Sequence, residues 1–117
     1  MNPAADRKWK RVKLDIRVKL WRDPEAEDSA AAVVRSCELS QGGMSVYAPE
    51  QMEVGTRVVV SFTLPGAHKA LRLHGVIRNV RGFRCGLEFV KVSDAERAEL
   101  ARCLEPFGGP LAGAAKE

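Results

Sequence analysis

Cysteine is scarce and dispersed in this sequence. Cys37, Cys85 and Cys103 are three thiols with no short spacing between any two of them, which excludes both a disulfide framework and a zinc knuckle. Two of the three occupy positions of the apolar pattern, so they are expected as ordinary reduced residues, a state that suits the cytoplasm. Histidine is nearly absent: His74 has no cluster of histidine or cysteine to join, and His68 falls in a turn region after Gly66. No metal site is expected. No apolar run is long enough for a membrane helix, and residues 1–11 lack the apolar segment of a signal peptide. The expectation is a soluble, cytoplasmic protein without membrane insertion. Missing too are a nucleophile and base at a recognisable spacing and a phosphate-binding loop that opens a helix. Neither an enzyme nor a bound cofactor is expected.

What is present suits one domain with one core, since 117 residues can bury most of the unfolded surface without staples. Lysine and arginine number 19 against 15 aspartates and glutamates, a net charge of +4. That surplus favours anionic partners but is modest for a dedicated DNA binder. Residues 1–6 carry no periodicity and read as a flexible lead-in. Arg7-Lys8-Trp9-Lys10-Arg11 then sets four bases around one aromatic. Such a segment can clamp phosphates while a flat group stacks on a base, or it can be a solvated arm whose Trp9 covers the end of the core. Residue types leave both open.

From Val12 the chain alternates cleanly, with Val12, Leu14, Ile16, Val18 and Leu20 against Lys13, Asp15, Arg17, Lys19 and Trp21. This pattern predicts a half-buried strand with a basic outer face. Residues 23–29 carry four acids and no apolar rhythm, and read as a surface loop. Extended character resumes at Val33 and returns at Met44 and Val46. Residues 57–64 predict a strand with Val58, Val60, Phe62 and Leu64 inward, stopped by Pro65-Gly66. Leu71, Leu73, Gly75 and Ile77 alternate likewise, as do Phe83, Cys85, Leu87 and Phe89, close enough for a hairpin. Gly75 and Gly86 mark a bulge or a crowded crossing. Ser93-Asp94-Ala95-Glu96 is a capping box for a helix over 95–104, with Leu100 and Leu104 one turn apart. Residues 105–117 read as a flexible tail. Short antiparallel strands and one late helix predict a mainly β fold: a curled sheet or barrel with the helix across an opening, or an open sandwich.

The polar interruption of this pattern is Glu38-Leu39-Ser40-Gln41-Gly42-Gly43, between two pieces of sheet. Glu38 and Ser40 lie two apart and would share a side in extended backbone, while Gly42 and Gly43 permit positive φ or a close approach. A turn with no ligand is the plainer reading, Ser40 serving as a turn-stabilising hydroxyl.

Taken together, Arg7 and Arg11 as R-x-x-x-R, then Glu38, Ser40 and Gly43 as acid-x-Ser-x-x-Gly, with Gly75-Val76 and Gly86-Leu87-Glu88-Phe89 following, resemble the PilZ domain, a bacterial module. The resemblance spans residues 7–104. It implies a six-stranded antiparallel β-barrel with a C-terminal α-helix, and cyclic di-GMP as ligand, with the arginine arm folding over the barrel mouth. Arg7 and Arg11 match the family's phosphate-clamping and guanine-stacking arginines; Glu38, Ser40 and Gly43 match the turn that meets a guanine. Lys8, Lys10 and Gly42 are auxiliary candidates. The chemistry agrees, because arginine reaches phosphate or the guanine O6/N7 edge bidentately and a carboxylate accepts from guanine N–H groups. Two positions depart from the pattern: the family turn usually starts with Asp or Asn, one methylene shorter than Glu38, and many members carry a base where this chain has Asp6. The resemblance implies a sensor or adaptor that changes its basic arm and partner surface on binding, acting on a bacterial effector or signalling protein. Two alternatives stand beside it. One is a degenerate adaptor that binds no nucleotide; the other, ranked last, is a small basic-barrel binder of single-stranded nucleic acid using Lys13, Arg17 and Lys19 with Trp9 or Trp21.

Overall fold

The computed structural model describes residues 9–22, 31–48 and 52–107. Arg7, Lys8, the lead-in 1–6, the acidic loop 23–29 and residues 108–117 lie outside the described residues. The described residues form seven strands: β1 (Val12–Lys13), β2 (Arg17–Trp21), β3 (Ala32–Leu39), β4 (Gly43–Tyr47), β5 (Arg57–Phe62), β6 (Leu71–Arg81) and β7 (Arg84–Val90). Helix α1 (Asp94–Leu104) follows and continues as a 3-10 turn over Glu105–Phe107. β1 and β2 are two pieces of one alternating stretch and both pair with β3, so they count as one stave. The order β3-β2-β5-β6-β7-β4 returns to β3, and every pairing is antiparallel. The result is a closed six-stranded barrel with a C-terminal helix, and the open sandwich does not occur. Closure leaves no long strand edge to recruit another chain.

The period-two pattern places its apolar side inside. Val12, Val18, Leu20, Val58, Val60, Phe62, Leu64, Leu73, Ile77, Cys85, Leu87 and Phe89 are all buried. The capping box forms as expected: the Ser93 hydroxyl accepts from the Glu96 amide at 3.0 Å, and the Ser93 amide donates to the Glu96 carboxylate at 2.9 Å. Leu100 and Leu104, with Cys103 beside them, join the barrel residues in one core. An eleven-residue helix is marginal in water, so this burial is what holds it.

Three irregularities break the regular ladder, and each re-aims side chains. Between β1 and β2, residues 14–16 stand opposite only two residues of β3. Ser36 fills the gap, its buried hydroxyl accepting from the Ile16 amide at 3.0 Å and donating to the Leu14 carbonyl. On its other edge β3 carries one extra residue against β4, since Ser36 pairs with Val46 and Glu38 with Ser45. Cys37 is that extra residue. Val34 and Ser36 face inward before it and Leu39 after it, so Glu38 turns outward. In β6, Ile77 pairs with Leu87 and Asn79 with Gly86, which makes Arg78 a second bulge. Gly86 lies opposite, under the Asn79 side chain, and a Cβ there would sit 2.7 Å from Asn79 Nδ2. At Gly75 a Cβ would come 2.7 Å from Leu87 Cδ1. Both glycines thus mark crowded crossings, as the sequence suggested.

Burial pushes the thiols of Cys85 and Cys103 above their ordinary value of 9.0, helped at Cys103 by the Glu99 carboxylate. Cys37 is only half-buried. An aromatic disulfide reagent at mildly alkaline pH is therefore expected to titrate one thiol quickly in the native protein and all three after denaturation. Rapid release from all three native thiols would contradict the packing. Because both buried values are raised, their contribution to stability is complete below the ordinary thiol value and fades as pH climbs through the higher folded values.

Candidate functional site

The turn between β3 and β4 is built by Ser40. Its amide donates to the Gly43 carbonyl at 2.9 Å, and its hydroxyl accepts from the Gly42 and Gly43 amides at 3.1 and 3.2 Å. One buried side chain thereby satisfies two backbone donors that strand pairing leaves over. Neither Gly42 nor Gly43 takes positive φ; Gly55, Gly66 and Gly82 do. The pair is needed for close approach instead. A Cβ on Gly43 would lie 2.2 Å from the Leu87 carbonyl oxygen, and one on Gly42 would lie 2.3 Å from Trp9 Cδ1.

Above this turn opens a groove of about 720 Å³. Gly43, Met44, Ser45, Gly86 and Leu87 line it from β4 and β7, Glu38 from β3, Trp9 and Arg11 from the arm, and Arg97 from α1. Arg78, Arg81 and Arg84 complete it from the β6–β7 hairpin. Glu38 Oε1 lies 3.9 Å from Arg11 Nη1 and 3.9 Å from Arg84 Nη2, a loose ionic bridge between arm and barrel. Arg78 pairs with Glu88 at 2.7 Å. The Ser45 hydroxyl is buried and pairs with no described group. Five arginines against two glutamates leave the lining with a positive surplus, which suits an anionic ligand.

Trp9 is half-buried, its ring resting on Gly42 with the Arg97 guanidinium 4.9 Å from a ring centroid. Arg97 also donates to the Gln41 carbonyl at 2.9 Å. Arm, turn and helix meet at this one cation–π contact.

Of the residues picked from sequence, Arg11, Glu38, Ser40, Gly42 and Gly43 come together here. Lys10 is exposed and does not line the groove, and Arg7 and Lys8 lie outside the described residues. Sequence reasoning missed Arg78, Arg81, Arg84 and Arg97. The outer phase of β6 and β7 carried the signal for Arg78 and Arg84, but only the barrel's closure through β4 brings that hairpin beside Glu38. Among the described residues no cluster of histidine, cysteine or carboxylates could hold a metal ion, and no helix is long and apolar enough to cross a membrane.

The PilZ domain family model matches residues 5–105. Among solved structures, the PilZ domain of YcgR from Escherichia coli with c-di-GMP superimposes with a TM-score of 0.67 at 14% identity, over 86% of this chain and 89% of that one. The PilZ domain of CeSA from a cellulose-synthesizing bacterium gives 0.61 at 19% identity, over 92% and 99%. The Bacillus subtilis inhibitor of motility MotI gives 0.68 at 15% identity over 85% of this chain, which spans only 50% of that protein's chain. No curated protein matches in sequence. At these identities the structures speak for the fold, while the family model covers nearly the whole described chain: this protein belongs to the PilZ domain family.

Proposed function

We propose that the chain is a cyclic di-GMP receptor module that binds the nucleotide in the groove between arm and turn. The observation that carries this reading is the convergence of Arg11 with Glu38 and the Ser40–Gly43 turn, in a chain of this family. The groove is of ordinary ligand-site size, and its cationic surplus and the buried Ser45 hydroxyl are a fitting match for phosphates and a polar base. Glu38 supplies an acceptor for guanine N–H donors, and Arg11 a guanidinium for phosphate or a guanine edge. Arg7, Lys8 and Lys10 add charge to the same arm. Engagement of Glu38 by the nucleotide draws it from its long contacts with Arg11 and Arg84 and re-seats the arm, Trp9 included. No covalent chemistry is involved; differential affinity for the re-seated arm shifts the population, and an effector or signalling protein reads the new surface.

Isothermal titration with cyclic di-GMP tests this directly. Binding heat is expected, with a change in Trp9 emission, and Arg11→Ala should weaken affinity by roughly tenfold to a hundredfold, the scale of a lost charged hydrogen bond. Absence of heat at tens of micromolar ligand would sink the proposal. One observation favours a second reading, an adaptor without nucleotide: the Ser40 hydroxyl is already spent inside its own turn. In that case cyclic di-GMP leaves Trp9 emission unchanged.

A further inference from the structure

On the outside of the barrel, one row of cross-strand partners runs across five strands in register. Arg17 of β2 pairs with Arg35 of β3, Arg35 with Tyr47 of β4, Tyr47 with Arg84 of β7, and Arg84 with Arg81 of β6. All five are exposed. At the usual strand spacing the row extends about 19 Å along the sheet. Two of its four junctions set arginine directly against arginine, an arrangement that destabilises a sheet rather than holding it. The described acids beside it do little to offset this. Asp15 bonds Arg35 at 2.8 Å, but both are solvent-exposed, and Glu38 stands 3.9 Å from Arg84. No described carboxylate pairs with Arg17 or Arg81. The fold therefore bears a row of like charges that its own described acids offset only in part.

We propose that this row is a docking surface for an acidic segment of a partner protein. Charge complementarity requires an extended anion, because guanidinia stand at both ends of the row. The apolar members favour protein over nucleic acid. Tyr47 is 54% exposed at the row's centre; Phe83, 60% exposed, occupies the turn beside Arg84; and Val33, 58% exposed, lies two residues from Arg35 on the same face. Arginine and tyrosine among exposed apolar side chains is the composition of protein-binding hot spots, and a valine offers a phosphate nothing. Carboxylates of the partner meet Arg17, Arg35, Arg84 and Arg81, and its apolar side chains meet Tyr47 and Phe83.

The test uses the isotope-labelled full chain without nucleotide, titrated with a short synthetic peptide repeating Glu-Glu-Leu and, separately, with its Lys-Lys-Leu counterpart and an oligothymidylate. With the acidic peptide, amide shifts are expected to cluster on Arg17, Arg35, Tyr47, Phe83, Arg84 and Arg81, and the basic peptide should do nothing. Arg17→Glu with Arg35→Glu should weaken the acidic peptide by about tenfold or more. Tyr47→Ala should weaken it several-fold with the dependence on salt unchanged, whereas the double arginine variant should reduce that dependence. Arg81 and Arg84 are kept intact because they also line the groove, so a failure of this surface is separable from a failure of nucleotide binding. Shifts scattered over the chain, or an affinity indifferent to both variants, overturn the proposal. So does an oligothymidylate that moves the same amides at lower concentration than the peptide, which would make the row a nucleic-acid surface.

Discussion

Replacing Gly43 by alanine is expected to lower the melting temperature by about 10 °C, the scale of a loss of roughly 2 to 3 kcal/mol in a domain of this size. The new methyl group would have to occupy space 2.2 Å from the Leu87 carbonyl oxygen and 3.2 Å from Glu88 Cα. Those atoms are backbone, and they belong to the ladder in which Gly43 pairs with Glu88 and the Phe89 amide donates to the Gly42 carbonyl at 2.9 Å. Strands β4 and β7 can make room only by parting. Gly42 is the control within the same turn. A methyl group there meets the Trp9 ring, 2.3 Å from Cδ1, and a side chain on the arm can swing aside. Gly42→Ala should leave the melting temperature nearly unchanged while shifting Trp9 emission, because the ring leaves Gly42 and the Arg97 guanidinium. A Gly43→Ala protein that melts within a degree or two of the parent would refute the close approach.

Ser36→Ala is expected to cost about 2 to 4 kcal/mol, from two part-buried groups left without partners, each in the lower part of the roughly 1 to 3 kcal/mol such a loss costs. The Ser36 hydroxyl is the partner of both the Ile16 amide and the Leu14 carbonyl, at the point where β1 and β2 leave the regular ladder. Alanine leaves the neighbouring backbone bonds in place, Leu14 N–H to Cys37 at 3.1 Å and Ser36 N–H to Ile16 at 2.9 Å. It removes only the hydroxyl that closes the bulge. Denaturant unfolding measures the loss, and hydrogen exchange locates it: Ile16 and Val12 should lose protection before Val58 or Val60. β1 is two residues long and begins one residue after Arg11, so a frayed β1 also loosens the arm's attachment. If exchange at Ile16 is unaltered in the alanine variant, the hydroxyl is not what holds this segment.

Much of the barrel was legible because it obeys a period of two. Val58, Val60 and Phe62, or Leu73, Gly75 and Ile77, face inward as alternation demands, and the Ser93 to Glu96 box needs no tertiary context. What escaped was the change of phase. After Ser36 the next inward residue is Leu39, and after Ile77 it is Val80, a step of three in each case. A short polar interval hides such a step, because Ser36 looks like an outward residue until its hydroxyl is seen bonded to Leu14 and Ile16. The arginines of the groove escaped for another reason. Arg78, Arg81 and Arg84 stand some forty or more positions after Glu38 in sequence, and only the β4–β7 pairing joins their hairpin to its strand. Arg97 reaches the turn from a helix whose docking no local pattern specifies.

The bulge at Cys37 changes what should be compared between this chain and its relatives. The side of the wall on which Glu38 stands follows from its place next to inward-facing Leu39 and opposite Ser45, and the bulge absorbs the extra residue before it without altering that side. A relative lacking that one residue would still hold the carboxylate on the groove side, because Ser36, the acid and Leu39 would then alternate in, out and in without a break. In an alignment of such chains, a gap at that column is therefore compatible with the motif, and what a single-codon deletion there would remove is the local bend of β3, not the carboxylate.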